Sequence, residues 1–95
     1  LVLYKQPGRI AVITGGNRGI GLRIIEKLLG CEMTVIMGCR DPKSAEKSVR
    51  QVVDLDNSKG KLVIEQLDVG NLASVRAFGK KIQENYEKLD ILINN

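Results

Sequence analysis

Ile10-Ala11-Val12-Ile13-Thr14-Gly15-Gly16-Asn17-Arg18-Gly19-Ile20-Gly21 decides the fold. Ile10–Thr14 is a short apolar run, rich in β-branched residues and without in-out alternation, as a strand buried on both faces requires. Four glycines then fall within residues 15–21, which predicts a tight loop. Gly15 allows the sharp turn, Gly19 lets the backbone approach a pyrophosphate with no Cβ in the way, and Gly21 lets a helix pack closely on the strand. Beyond the loop, Ile20, Ile24, Ile25, Leu28 and Leu29 recur at helical spacing, with Gly30 as the expected C-terminal cap. The unpaired N–H groups and positive dipole end of that helix face the loop, where a phosphate would sit. No Gly-Lys-Ser or Gly-Lys-Thr follows, so a P-loop is excluded.

The same alternation continues outward. Met33–Cys39 reads as a second strand, Leu62–Leu67 as a third and Leu89–Ile93 as a fourth. Between them, Asp41 caps a helix with Pro42 at its first position and Ala45, Val49, Val52 and Val53 as its apolar stripe. Asp56–Gly60 is a polar break. Asn71 caps a third helix with the stripe Leu72, Val75, Phe78 and Ile82, and Tyr86 near its end. A β-α-β-α-β-α-β order with right-handed crossovers predicts an α/β fold with a parallel sheet in the order 3-2-1-4. A ligand belongs at the carboxyl ends of such strands, beside the switch point between the first and fourth. Thr14–Gly21, Cys39–Arg40, Asp68–Val69 and Asn94–Asn95 all fall at that edge. The first two helices should cover one face of the sheet and the third the other, leaving the latter partly bare.

Composition narrows the function classes. The net charge is +4, but Lys43, Lys47, Lys59, Lys61, Lys80, Lys81 and Lys88 are scattered over predicted helix faces and loops. The only aromatics are Tyr4, Phe78 and Tyr86, too few for a base-stacking platform, so no nucleic-acid partner is expected. With two cysteines and no histidine, most zinc sites and Cys/His nucleophile designs are removed, and no metal is expected. Cys39 ends an apolar run and reads as a small buried hydrophobe. The Leu1–Leu3 run is far too short for a signal peptide or membrane span. The chain starts at Leu1 and stops at Asn95 directly after an apolar run, so residues 1–95 read as part of one domain, cut at both ends.

Taken as Thr14-Gly15-x-x-x-Gly19-x-Gly21, the loop resembles the short-chain dehydrogenase/reductase family. The resemblance runs from Arg9 to Asn95. It continues in Cys39-Arg40-Asp41, in Leu67-Asp68-Val69, and in Leu92-Ile93-Asn94-Asn95, which looks like the start of the family's Asn-Asn-Ala-Gly segment. Its flavour is similar to carbonyl reductases and retinol-dehydrogenase-like members. The resemblance implies the N-terminal half of a Rossmann-type doubly wound domain, and an oxidoreductase that interconverts a small-molecule carbonyl and alcohol by hydride transfer. It implies a cofactor site made of Thr14, Gly15, Asn17, Arg18, Gly19, Ile20, Gly21, Arg40, Asp68, Val69 and Asn95. Asn17, Arg18, Gly19 and Ile20 would surround the phosphates and the adenosine ribose. Asp68 would bond the adenine amino group beside the Val69 backbone, Asn95 would contact the nicotinamide-side ribose, and Asn94 would tie the central strands together. The competing reading of Asp68 is a turn residue, and of Arg40 a solvated arginine. The family's catalytic serine and Tyr-x-x-x-Lys come later than Asn-Asn-Ala-Gly. Tyr86 is followed four residues on by Asp90 and Tyr4 by Gly8, so no residue of this chain is expected to be catalytic.

NADP is the expected cofactor. An acidic residue ending the second strand of such a fold accepts bonds from the ribose hydroxyls and would repel a 2′-phosphate. Cys39 takes that place and Arg40 follows, whose guanidinium can fork onto phosphate oxygens, with Arg18 reaching from the other side. Asp41 is the discordant charge, read as a helix cap pointing away. Two alternatives stay open at this stage. One is a dinucleotide-binding sensor or scaffold that has lost catalysis. The other is a methyltransferase of similar architecture, a class that usually wants an acidic residue where Cys39 stands.

Overall fold

A computed structural model describes residues 5–15 and 19–94 of the chain. In chain order its elements are β1 (Ile10–Thr14), α1 (Ile20–Gly30), β2 (Thr34–Cys39), α2 (Pro42–Arg50), a 3₁₀ turn (Leu55–Asn57), β3 (Lys61–Gln66), α3 (Leu72–Asn85) and β4 (Ile91–Asn94). The strands form one parallel sheet in the order β3-β2-β1-β4, the doubly wound arrangement expected of the alternation. Ile13 is in register with Met37 and with Ile93, and Met37 with Ile64, so these four form a row across one face. Ile25 and Leu29 of α1, and Ala45 and Val49 of α2, pack onto that row and are buried with Ile13, Val35 and Met37. Each fully buried aliphatic side chain of this size contributes about 1.5–3 kcal/mol.

Both helix caps read from the sequence are present. Asp41 accepts a hydrogen bond from the Ser44 N–H at 3.3 Å, with Pro42 at the first position, and Asn71 accepts one from the Ser74 N–H at 3.1 Å. Each side-chain oxygen satisfies an N–H that has no partner inside the helix.

The end of α1 corrects the expectation for Gly30. Gly30 is still helical, and Cys31 closes the helix. The left-handed position falls on Glu32, at φ 63°. Met33 N–H donates to the Leu28 carbonyl at 3.3 Å and Glu32 N–H to the Leu29 carbonyl at 2.9 Å, the pair of bonds that defines a Schellman ending. Burial sets this register: Cys31 and Met33 are both inside, with Leu28 packed against them, and only Glu32 between them faces out enough to take the turn. Met33 therefore belongs to the helix ending, and the second strand begins at Thr34.

Smaller corrections have similar causes. α2 stops at Arg50, and Val52 and Val53 lie in the turn that follows, both donating to the Val49 carbonyl. The third strand is shifted by one residue, although Leu67 N–H still reaches the Cys39 carbonyl at 2.7 Å. The fourth strand starts at Ile91, because Asp90 exchanges bonds with Ile10 from its backbone and its carboxylate and so opens the ladder; Leu89 lies outside it. On α3 the covered line is Ser74, Phe78, Ile82 and Tyr86, all half-buried, whereas Leu72 and Val75, expected in the apolar stripe, are exposed. Spacing alone could not separate these two lines, since both recur at helical intervals.

Candidate functional site

The carboxyl ends of the strands form one continuous edge, stitched together by bonds between neighbours. At the β3 end, Leu67 is tied to Cys39, and Asp68 follows it. Gly15 N–H donates to the Gly38 carbonyl at 3.3 Å, joining the start of the glycine loop to β2. At the switch point the Thr14 hydroxyl donates to Asn94 Oδ1 at 3.1 Å, tying β1 to β4, the kind of inter-strand tie expected of Asn94. Asp68, Arg40, Thr14 with Gly15, and Asn94 thus stand in sequence along the edge, brought together from four separate segments.

Local geometry suits a bound phosphate chain. Gly15 and Gly19 have φ of 66° and 60°, a region that L side chains rarely adopt. At Gly19, the N-cap of α1, an added Cβ would meet nothing within 4 Å among the described residues. Gly21 is buried and brings the first turn of α1 onto the sheet. Ile20 is 75% exposed at the lip of the helix. Asn17, Arg18 and Asn95, also named from the sequence, lie outside the described residues.

The electrostatics at the end of β2 are uneven in a useful way. Cys39 is buried, and its thiol is pushed up from its ordinary pKa, first by burial and second by the charge of Asp41. It therefore stays neutral, where an acidic residue would carry a charge. Arg40 is exposed and has neither an ion pair nor a hydrogen bond with any described residue. Asp41, the discordant charge, is engaged at the N-terminus of α2. Asp68 is half-buried; one carboxylate oxygen, Oδ1, accepts from Gly70 N–H at 3.0 Å, and Val69 beside it is 73% exposed. So the turn-residue reading of Asp68 is correct for one oxygen and leaves the other, Oδ2, without a protein partner among the described residues.

Two residues escaped the sequence reading. Gly38 lets Leu67 and Phe78 cross the end of β2, since an added Cβ would lie 2.8 Å from Leu67 Cδ2 and 3.1 Å from Phe78 Cε1. A glycine inside an apolar strand run is the available signal for such close approach. Ser74, which begins the family-like segment Ser74-Val75-Arg76-Ala77-Phe78, accepts from the Asp68 N–H at 2.8 Å, a bond that the segment alone does not announce.

A doubly wound parallel sheet with a glycine turn at its carboxyl edge defines a dinucleotide-binding type of protein. The comparisons give the particular family: residues 9–95 match the short chain dehydrogenase family, and the chain belongs to it. It is 38% identical over 97 residues to retinol dehydrogenase 14 of Mus musculus, covering 93% of this chain and 29% of that protein. It is 40% identical over 88 residues to (-)-isopiperitenone reductase of Mentha piperita, covering 92% of this chain and 28% of that one. Among solved structures it superposes on the Pseudomonas aeruginosa RhlG/NADP active-site complex with a TM-score of 0.79 and 30% identity, over 97% of this chain and 36% of that one. The chain thus spans under a third of the length of these two curated relatives.

Proposed function

We propose that these 95 residues are the cofactor-binding half of an NADP(H)-dependent oxidoreductase that interconverts a carbonyl and an alcohol on a small molecule. The single observation that carries the cofactor choice is the pairing of a neutral Cys39 with an exposed Arg40 that has no partner among the described residues, at the end of β2. A guanidinium with no ion pair among the described residues can fork onto the 2′-phosphate, and Cys39 stands where a carboxylate would take the ribose hydroxyl. The NADP complex of the P. aeruginosa structure and the dehydrogenase and reductase names of the relatives support the same reading.

Gly15, Gly19 and the first turn of α1 would receive the pyrophosphate, together with Asn17 and Arg18. Asp68 and Val69 would hold the adenine, and Asn95 the nicotinamide-side ribose. Thr14 and Asn94 would keep β1 and β4 in register beneath it. The bound nicotinamide supplies or accepts the hydride. The proton donor and the substrate pocket belong to the catalytic half, which residues 1–95 do not provide.

The test is Arg40→Asp in the full-length protein. Losing one or more charge-assisted bonds to phosphate, at roughly 1.5–3 kcal/mol each, should cut the preference for NADPH over NADH by about tenfold to a hundredfold. Steady-state kinetics with both cofactors read the ratio directly. An unchanged ratio would leave Arg40 a solvated surface residue. Cofactor binding without turnover on any carbonyl would favour a sensor or scaffold.

A further inference from the structure

We infer that Ser74 is a positioning residue for Asp68, holding it so that its free oxygen meets an adenine amino group; this rests on the dinucleotide reading above. The β3 ladder ends at Leu67, whose N–H goes to Cys39, so the next N–H, that of Asp68, has no strand partner. Ser74 Oγ supplies one at 2.8 Å, reaching back from the first turn of α3. The rest of Asp68 is fixed by its own turn. Its carbonyl accepts from Asn71 N–H at 3.0 Å and its Oδ1 from Gly70 N–H at 3.0 Å. Ser74 is in turn held by its N–H donating to Asn71 Oδ1. Among the described residues, every polar group of Asp68 except Oδ2 is thus committed within a four-residue ring of bonds anchored on a helix.

The position of Ser74 argues for the hydroxyl itself. It occupies the half-buried line of α3, four residues before Phe78, with Ile82 and Tyr86 continuing that line. An apolar residue there would bury more surface. A serine is favoured where its oxygen has an N–H to satisfy, and the N–H it satisfies belongs to the residue at the ligand edge.

Adenine offers the Asp68 carboxylate an N–H donor at its exocyclic amino group; hypoxanthine carries a carbonyl oxygen there instead, which cannot donate. Affinities of the full-length protein for NADPH and for reduced nicotinamide hypoxanthine dinucleotide phosphate, read by nucleotide fluorescence, therefore report on Oδ2. Wild type should favour NADPH. Ser74→Ala should lose about tenfold for NADPH, the weight of one charge-assisted bond, and keep its affinity for the hypoxanthine analogue. Ser74→Thr, which retains the hydroxyl, should restore the preference. Should the alanine variant fold poorly, Ser74→Cys, close in shape but a weak acceptor, should show the same selective loss. An equal loss for both nucleotides, or none, would make Ser74 only a helix-start residue and overturn the inference. Wild type binding both nucleotides alike would overturn it while leaving dinucleotide binding intact. Wild type binding neither would remove the functional reading itself.

Discussion

On one face of the sheet, Ile25 and Leu29 of α1 and Ala45 and Val49 of α2 lie buried against Ile13, Val35 and Met37. On the other, α3 has no fully buried residue, and Leu72 and Leu92 are 63% and 69% exposed. The strands are the same in both cases; what differs is the number of helices laid on them. Val12, Ile36 and Leu92 share a row on the α3 side, yet exposure rises from the two central residues to Leu92, which α3 does not cover. Amphipathic spacing marks which residues seek cover and leaves open whether cover is within reach. Burial, and hence stability, should divide between the faces accordingly.

Truncating the packed face should have the largest effect. Ile25→Ala removes a fully buried side chain and should cost about 2–5 kcal/mol in urea unfolding, whereas Leu72→Ala should stay within roughly 0.5 kcal/mol of the parent. Comparable losses at both sites would mean that α3 is as well anchored as α1.

A pair of glycines sharpens the contrast by reversing the sign. An added Cβ at Gly60 would lie 2.6 Å from the Leu29 carbonyl oxygen and 2.8 Å from Leu29 Cα, backbone atoms that cannot step aside. Gly60→Ala should therefore destabilise by about 1–3 kcal/mol. At Gly79, in the middle of α3, a Cβ meets nothing within 4 Å, so Gly79→Ala should stabilise by roughly 0.5–1 kcal/mol through helix propensity. Thermal melts of the two variants should move in opposite directions.

The smallest effect concerns the clamp that opens β4. The Asp90 carboxyl is held below its ordinary pKa, first by the Ile10 N–H at 2.8 Å and then, against the opposing effect of burial, by Lys88 and Arg9. A depressed carboxyl pKa stabilises the fold at pH values above its unfolded value, and that contribution is lost as pH falls through the folded one. Wild type should lose this contribution below about pH 4, while Asp90→Asn should show a flatter acid limb when Tm is followed from neutral to acid pH. Parallel acid limbs in the two proteins would show that the clamp does not depend on the charge.

How much of this could be read from the sequence follows from the range of each interaction. β1 was legible to the residue, because an unbroken β-branched run bounded by glycine has one reading. The caps Asp41 and Asn71 were legible because they act three residues away along the chain. The sheet order, and with it the gathering of Thr14, Arg40, Asp68 and Asn94 at one edge, followed from alternation and crossover handedness. Glu32 in place of Gly30 was not legible, since the ending of α1 is set by where Cys31 and Met33 find burial. Gly38 and Gly60 are needed because distant segments pass close by, and the cover on Leu72 depends on which elements reach it. The freedom of Arg40, the commitment of Asp41 and the Ser74–Asp68 bond likewise exist only in three dimensions.

The tie between β1 and β4 sets an order of events during synthesis. The bonds from Ile10 to Asp90 and from Thr14 to Asn94 each close a separation of 80 residues. At about 5–20 residues per second, a ribosome needs roughly 4–16 s to supply that intervening chain. β2 can pair with β1 and β3 with β2 well before then, so the nascent sheet waits with one flank of Ala11–Thr14 open. Of the two inner strands, β1 is thus the last to gain its second neighbour, and a chain stalled before Ile91 would present that flank bare.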